Sequence, residues 1–191
     1  FALLRNARRA NDGIAIHYSE ASRIADSLFS DDKRCTAWME SLADFNHAVE
    51  SMRVRLGAHP VPLQMPVGSE ADFRGIVDLV RMRLISWRGE GAECEQVITE
   101  VPPELLAEAE SARHDVLEAA AESDEGVMEK YVHEEPITVE ELLAGLRKGT
   151  VDGRFCPVFC GSALKNKGTR LLLDAVVDYL PSPTDVPAVM G

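Results

Sequence analysis

The sequence has no Cys-x-x-Cys pair: Cys35, Cys94, Cys156 and Cys160 stand apart. That excludes the usual closed zinc site and leaves buried cytosolic thiols as the simplest use of them. No apolar run approaches the roughly 18–20 residues a membrane span needs. The opening FALLRNARRA lacks an apolar core followed by a small-residue cleavage site, so no signal peptide is expected. Position 1 is Phe rather than Met, and the chain is expected to begin inside a longer one. Basic residues are scarce, with 20 Lys and Arg against 32 Asp and Glu and a formal net charge of −12. A generic nucleic-acid surface is thereby excluded, because phosphate attraction needs a basic patch. His17, His47, His59, His114 and His133 share no metal-ligand spacing, and no Ser-His-Asp arrangement can be argued from the sequence. There is also no Gly-Lys pair anywhere in the chain.

What remains is ordinary for a globular cytoplasmic protein: 191 residues, 46% hydrophobic and 27% charged. That length holds one domain with a sizeable core, or parts of two. The acidity is concentrated. Between Glu104 and Glu141 there are 13 Asp or Glu against Arg113 and Lys130, which accounts for nearly all of the imbalance.

Periodicity gives the elements. Asn11-Asp12-Gly13 signals a turn, and Ile24 and Leu28 suggest a short helix. Phe45, Val49, Met52 and Leu56 follow helical spacing, with Gly57 placed to end the helix. Val61, Leu63, Met65 and Val67 alternate as a strand, with Pro62 and Pro66 putting it at an edge. Phe73–Trp87 and Cys94–Val101 predict two further strands joined by the RGEGAE hairpin. A long helix is expected from Pro103 to Val132, with Leu105, Ala109, Ala112, Val116 and Ala120 on its apolar face and a kink at Gly126. Thr138 and Glu141 have capping-box spacing and open a helix ending near Lys148 and Gly149. Phe155–Cys160 is a strand. Thr169–Leu180 is a last helix, with Leu172, Ala175, Val176 and Tyr179 inward, and PSPTDVP follows as a linker.

The stretch from Phe155 to Gly168 carries the most chemistry. Small residues after a strand (Gly161, Ser162 and Ala163) let a ligand approach backbone N–H groups, although an ordinary turn has the same composition. Taken together, GSALKNKGTRLLLDAVVDYLPSPTDVPAVMG resembles the end of the nucleotide-binding domain of the elongation factor G family. A second block agrees in the same order: Leu56-Gly-Ala-His-Pro60, Gln64-x-Pro66-x-Gly68, and Phe73-x-Gly75-Ile76-x-Asp78. The resemblance covers roughly Ala43 to Gly191. Ribosomal-protection proteins and release factor three are related, but Leu-Asp-Ala-Val-Val-Asp-Tyr-Leu-Pro-Ser-Pro favours factor G.

The resemblance implies an α/β fold: a partial P-loop-GTPase-type domain with an inserted α+β subdomain made of a small antiparallel sheet plus helices. Residues 43–67 and 154–183 would be the remnant of the GTP-binding domain, 68–153 the insert, and 184–191 the start of a linker. Residues 1–42 match nothing in the family, whether as a truncation junction, a frame error or a divergent segment. Ser162 and Ala163 would contact the guanine oxygen through their backbone, with Leu164 and Lys165 flanking the base. A solvated role for Lys165 stays open. The family binds GTP or GDP with Mg2+ and works on the ribosome to drive translocation.

The phosphate machinery has no counterpart here. A P-loop needs Gly-x-x-x-x-Gly-Lys-[Ser/Thr], Asp72-Phe-Arg-Gly75 lies in the wrong block for a switch motif, and the Asn-Lys-x-Asp clamp is not found before Ala43. No hydrolysis and no tight nucleotide binding by this chain alone are therefore expected. Asp115, Glu118, Glu122, Glu125 and Glu129 step by three and four into one acidic ridge. It is either a solvated face or a docking face for a basic partner. The resemblance implies that Glu118 and Glu122 meet the C-terminal domain of the ribosomal stalk protein. Two functions follow: a piece of a translocation GTPase, or a non-catalytic module that docks the stalk. DNA upstream of the first codon, with or without an in-frame P-loop, separates them.

Overall fold

The structure, a computed structural model, describes residues 45–68, 73–89, 95–162 and 167–182, and the backbone of 15–18. The Asn11-Asp12-Gly13 turn, the helix expected near Ile24 and Leu28 and the 184–191 linker lie outside the described residues. Among the described residues the order is β1 (Ala15–Tyr18), α1 (Phe45–Leu56), β2 (Pro60–Pro62), β3 (Gln64–Val67), β4 (Gly75–Asp78), β5 (Arg83–Arg88), β6 (Glu95–Glu100), α2 (Pro103–Ser123), α3 (Glu125–Val132), α4 (Val139–Val151), β7 (Cys156–Gly161) and α5 (Thr169–Tyr179). Two sheets result: a parallel one ordered β1-β7-β2 and an antiparallel one ordered β3-β4-β5-β6. The fold is α/β with an antiparallel sheet and helices inserted between β2 and β7, as the sequence implied.

The run Val61–Val67 does not form a single strand. It bends at Leu63, so β2 pairs in parallel with β7 while β3 pairs antiparallel with β4. Leu63 is the joint: its N–H donates to Val158 O at 3.0 Å and its O accepts from Leu79 N at 3.1 Å. Beside it the buried Gln64 turns its Oε1 to the Cys160 N–H, 3.2 Å away, which satisfies a backbone donor where the two sheets part. Pro157 is tolerated inside β7 because β1 begins pairing only at Val158, leaving Pro157 a neighbour on the β2 side alone.

Phe73–Trp87 likewise divides into β4 and β5. The Asp78 carboxylate accepts from Val80 N at 2.9 Å and Arg81 N at 3.0 Å, an Asx-type turn that reverses the chain. Leu79 and Val80 are fully buried inside that turn, and this is what made it look like strand. The β5–β6 hairpin forms as expected, with Arg83 opposite Glu100 and Arg88 opposite Glu95.

Helix α1 ends at Gly57, whose φ of +60° allows its N–H to reach Arg53 O at 3.1 Å. The long helix is broken at Asp124 rather than kinked at Gly126. Asp124 is extended (φ −136°, ψ 123°), and its carboxylate accepts from the N–H groups of Gly126 and Val127 at 3.0 and 3.3 Å, capping a new helix. On α2, Ala109, Val116 and Ala120 are buried and Leu105 and Ala112 half-buried, so the inward stripe is the expected one. The Thr138–Glu141 capping box is present, with reciprocal bonds of 3.3 and 3.0 Å, and α4 runs on to Val151. Leu142 and Leu146 of α4 are completely buried; each contributes about 1.5–3 kcal/mol by leaving water. On α5, Ala175 and Tyr179 are buried and Leu172 half-buried, but Val176 is 41% exposed because it lies toward the outer face with Leu173 and Val177.

Candidate functional site

The first candidate is the turn leaving β7. Ser162 and Lys167 form a two-way backbone bridge, Ser162 N to Lys167 O at 2.8 Å and Lys167 N to Ser162 O at 2.9 Å, which pinches off the loop 163–166. Two glycines make the pinch fit. A Cβ on Gly161 would stand 2.8 Å from Lys167 O, and Gly168 holds φ +86° with Cys160 O only 3.0 Å from where its Cβ would be. Gly168 then caps α5, so the loop empties directly into a helix N-terminus.

Ser162 is 2% exposed, and its Oγ has no hydrogen-bond partner among the described residues. A buried hydroxyl left unpaired costs about 1–3 kcal/mol, so the position favours any group that supplies a partner. The Ser162 N–H is already engaged with Lys167 O. Ala163, Leu164 and Lys165 lie outside the described residues. Beneath the loop, burial pushes the Cys160 thiol far above its ordinary range, so Cys160 acts there as a small apolar filler.

The second candidate is the outer surface of α2 and α3. Asp115, Glu118 and Glu122 are exposed on α2, and Glu125 and Glu129 are exposed on α3. Because the helix breaks at Asp124, the five do not form one continuous ridge: three belong to one axis and two to another. The C-terminal end of α2 is held by Arg154, whose guanidinium donates to Glu122 O at 2.9 Å, and by Lys148, which reaches Asp124 at 3.3 Å. Asp124's carboxyl sits below its usual range because it accepts the Val127 N–H and then the Lys148 hydrogen bond. Glu141's is also low, chiefly through Lys130 Nζ at 2.5 Å, with the Thr138 N–H adding to it. Arg113 is partly desolvated, which lowers its pKa, and it spends its charge on the Leu79 and Val80 carbonyls at 2.5 and 2.6 Å. Sequence reasoning passed over Asp124. Its signal was present all the same, in an N-cap residue standing before Glu and Gly inside a helical run.

A parallel sheet interrupted by an antiparallel sheet and helices, with a glycine-pinched turn feeding the last helix, defines the class: part of an α/β domain with an inserted α+β unit. Known proteins narrow this. Over 150 residues, 78% of this chain, the sequence is 51% identical to elongation factor G of Thermotoga neapolitana. A crystal structure of a protein from Thermus thermophilus superposes with a TM-score of 0.63 at 28% identity, covering 80% of this chain and 24% of that one. No family model matches. Over the matched stretch the chain is a relative of elongation factor G, and it spans about a fifth, 21%, of that curated protein's length.

Proposed function

We propose that this chain serves as the guanine-loop and stalk-docking part of a translation GTPase of the elongation factor G kind, acting on the ribosome in the cytoplasm. The observation that carries the reading is 51% identity over 150 residues with a protein of that name. In this reading residues 43–67 and 154–183 belong to the GTP-binding domain and 68–153 to the insert, with Gln64–Val67 crossing from one to the other because they already pair in the antiparallel sheet.

Guanine recognition is assigned to Ser162, Ala163, Leu164 and Lys165. A backbone N–H aimed at the ring oxygen selects guanine over adenine, because adenine presents a donor at that position. With the Ser162 N–H engaged by Lys167 O, the donor for that oxygen falls to Ala163, and Ser162 offers its unpaired hydroxyl. Leu164 and Lys165 flank the base. GTP or GDP would bring Mg2+ with it. Of the four, the described Ser162 offers a hydroxyl suited to a base edge; the sequence has no Gly-Lys pair to hold phosphates, so no hydrolytic step is derived for this chain.

Docking is assigned to Glu118 and Glu122, exposed on α2 within the Glu104–Glu141 segment. Complementary charge there would speed encounter with the stalk protein's C-terminal domain and make it salt-dependent. A second reading, a stalk-docking module without catalysis, rests on the exposed acids of α2 and α3 alone. Calorimetry at low salt with the purified stalk C-terminal domain tests the docking. Glu118→Lys with Glu122→Lys is expected to weaken binding at least tenfold; unchanged affinity would sink the assignment.

A further inference from the structure

A cleft of about 580 Å3 opens between α2 and the connection that follows α3. Leu117, Val132 and Ile137 give it apolar walls, and Val132 is 67% exposed, a large aliphatic side chain left to solvent at the lining. Tyr131 stands between α3 and α2, its hydroxyl 3.2 Å from His114 Nε2 and the two rings 5.8 Å apart. Glu134 and Glu135, both exposed, also line the cleft and make it acidic.

The backbone places these two carboxylates where α3 ends. Glu134 takes a left-handed φ of +55°, and the N–H of Glu135 bonds back to Lys130 O at 2.9 Å, an end motif of the Schellman kind. The negative end of the helix dipole therefore adds to the two carboxylates. The one cation in the lining, Arg113, is committed to the carbonyls of Leu79 and Val80. Two carboxylates beside an aliphatic floor do not suit a metal ion, which needs more oxygen ligands, and they repel an anion. They suit a long basic side chain, which lays its methylenes on apolar surface and keeps its charge at the polar rim.

We infer that this cleft receives a single lysine or arginine side chain from the basic docking partner. The aliphatic stem lies along Leu117, Val132 and Ile137, and the charge sits at Glu134 and Glu135, with the Tyr131 ring at hand for a cation–π contact. The inference rests on the docking reading and deepens it. Glu118 lies one turn beyond His114 and next to Leu117, so the acids assigned to docking adjoin the cleft. The acids of α2 draw the partner in, and the cleft fixes its register.

The test is a titration of the 15N-labelled full chain with the acetylated, amidated peptide Gly-Leu-Lys-Leu-Gly, alongside the same peptide carrying norleucine in place of lysine. Amide shifts are expected at Leu117, Val132, Glu134, Glu135 and Ile137. Affinity should fall about tenfold with norleucine, and equally for Glu134→Gln with Glu135→Gln, whose spectrum otherwise matches that of the parent. Equal affinity for both peptides overturns the inference, as do shifts confined to Asp115, Glu118 and Glu122, or no shifts at all. If the stalk domain still binds in a way that Glu118→Lys with Glu122→Lys abolishes, the cleft alone is refuted and the docking reading stands. Lysine-dependent shifts in the cleft with stalk binding indifferent to those reversals would support the cleft and retire the assignment of Glu118 and Glu122.

Discussion

Gly149→Ala offers the sharpest check on how the acidic helices are held. Gly149 lies in α4 with ordinary helical backbone, so on propensity alone alanine should stabilise it by about 1 kcal/mol. Packing says the opposite. A Cβ there would overlap Phe155 Cε1 and Ser123 Oγ and lie 2.9 Å from Phe155 Cζ. Both obstacles are buried, and Ser123 is fixed by its bond to Ala119 O at 3.1 Å, so neither can swing away into solvent. Overpacking of this kind costs about 1–3 kcal/mol. With two fixed neighbours the upper end applies, and after the propensity gain a net loss of about 2 kcal/mol is expected.

The assay is urea unfolding at constant m, with Gly126→Ala as the comparison. Gly126 is exposed at the start of α3, and its added Cβ would meet only Asp124 Oδ1, at 3.3 Å. That variant should stay within about 0.5 kcal/mol of the parent. In heating experiments a loss of about 2 kcal/mol corresponds to a fall of about 4–8 °C in Tm. Combining Gly149→Ala with Ser123→Ala, which removes one obstacle, should recover part of the loss. If Gly149→Ala alone is neutral or stabilising, α4 does not close on α2 as described, and the placement of the Glu122 end of α2 is wrong.

Asp124→Ala removes the cap of α3 and should cost about 1 kcal/mol, with little added by the solvent-screened Lys148 pair. Asp124 and Glu141 both titrate below their unfolded values, so the unfolded chain takes up protons first. Their contribution is present above the unfolded pKa near 4 and is lost as pH falls through the lower folded values; acid titration of Asp124→Ala should show a shallower loss than the parent. Glu134→Gly relieves a left-handed backbone and should raise stability by about 0.5–1 kcal/mol in denaturant unfolding while weakening capture of the lysine peptide. The purified chain should release no phosphate from GTP above background. A rate that disappears on mutating a residue of this chain would refute the reading built on the absent Gly-Lys pair.

Much of this was legible from local chemistry. Gly57 after Leu56 and the Thr138–Glu141 box each specify geometry within four or five residues, and each formed where expected; the two strands flanking RGEGAE pair as expected too. The failures came where a distant neighbour decides. Leu63 alternates correctly for one strand, but the chain divides there because β7 claims one side and Leu79 the other. Leu79 and Val80 are as apolar as any strand residue; only the Asp78 carboxylate and Arg113, far along the chain on α2, turn them into a corner. The break at Asp124 was misplaced because the glycine two residues on is the weaker helix former, whereas the capping carboxylate is what ends α2. For the candidate sites, residue types were visible and context was not. Ser162 could be named from its loop, but its orphaned hydroxyl and engaged N–H emerge only once Lys167 folds back across it.

The two candidate sites share one core. Val61 of β2 and Leu63 at the joint between the sheets, Phe159 from β7 and Tyr179 from α5 pack in the same cluster as Val116 and Ala120 of α2 and Leu142 and Leu146 of α4. Arg147 of α4 adds a polar tie, donating to the Val177 and Asp178 carbonyls at the end of α5 at 3.1 and 2.8 Å. The helix that follows the Ser162–Lys167 bridge and the helix behind the acidic surface are thus braced by the same side chain and the same buried leucines. An insert that only decorated the domain would be joined to it through its two crossover strands alone. Here the insert supplies α4 as the packing partner of α5, so loosening the acidic helices removes support from the helix into which the loop empties. Support of α5 and presentation of the acidic face are therefore one property of this chain, whichever of its two proposed functions it performs.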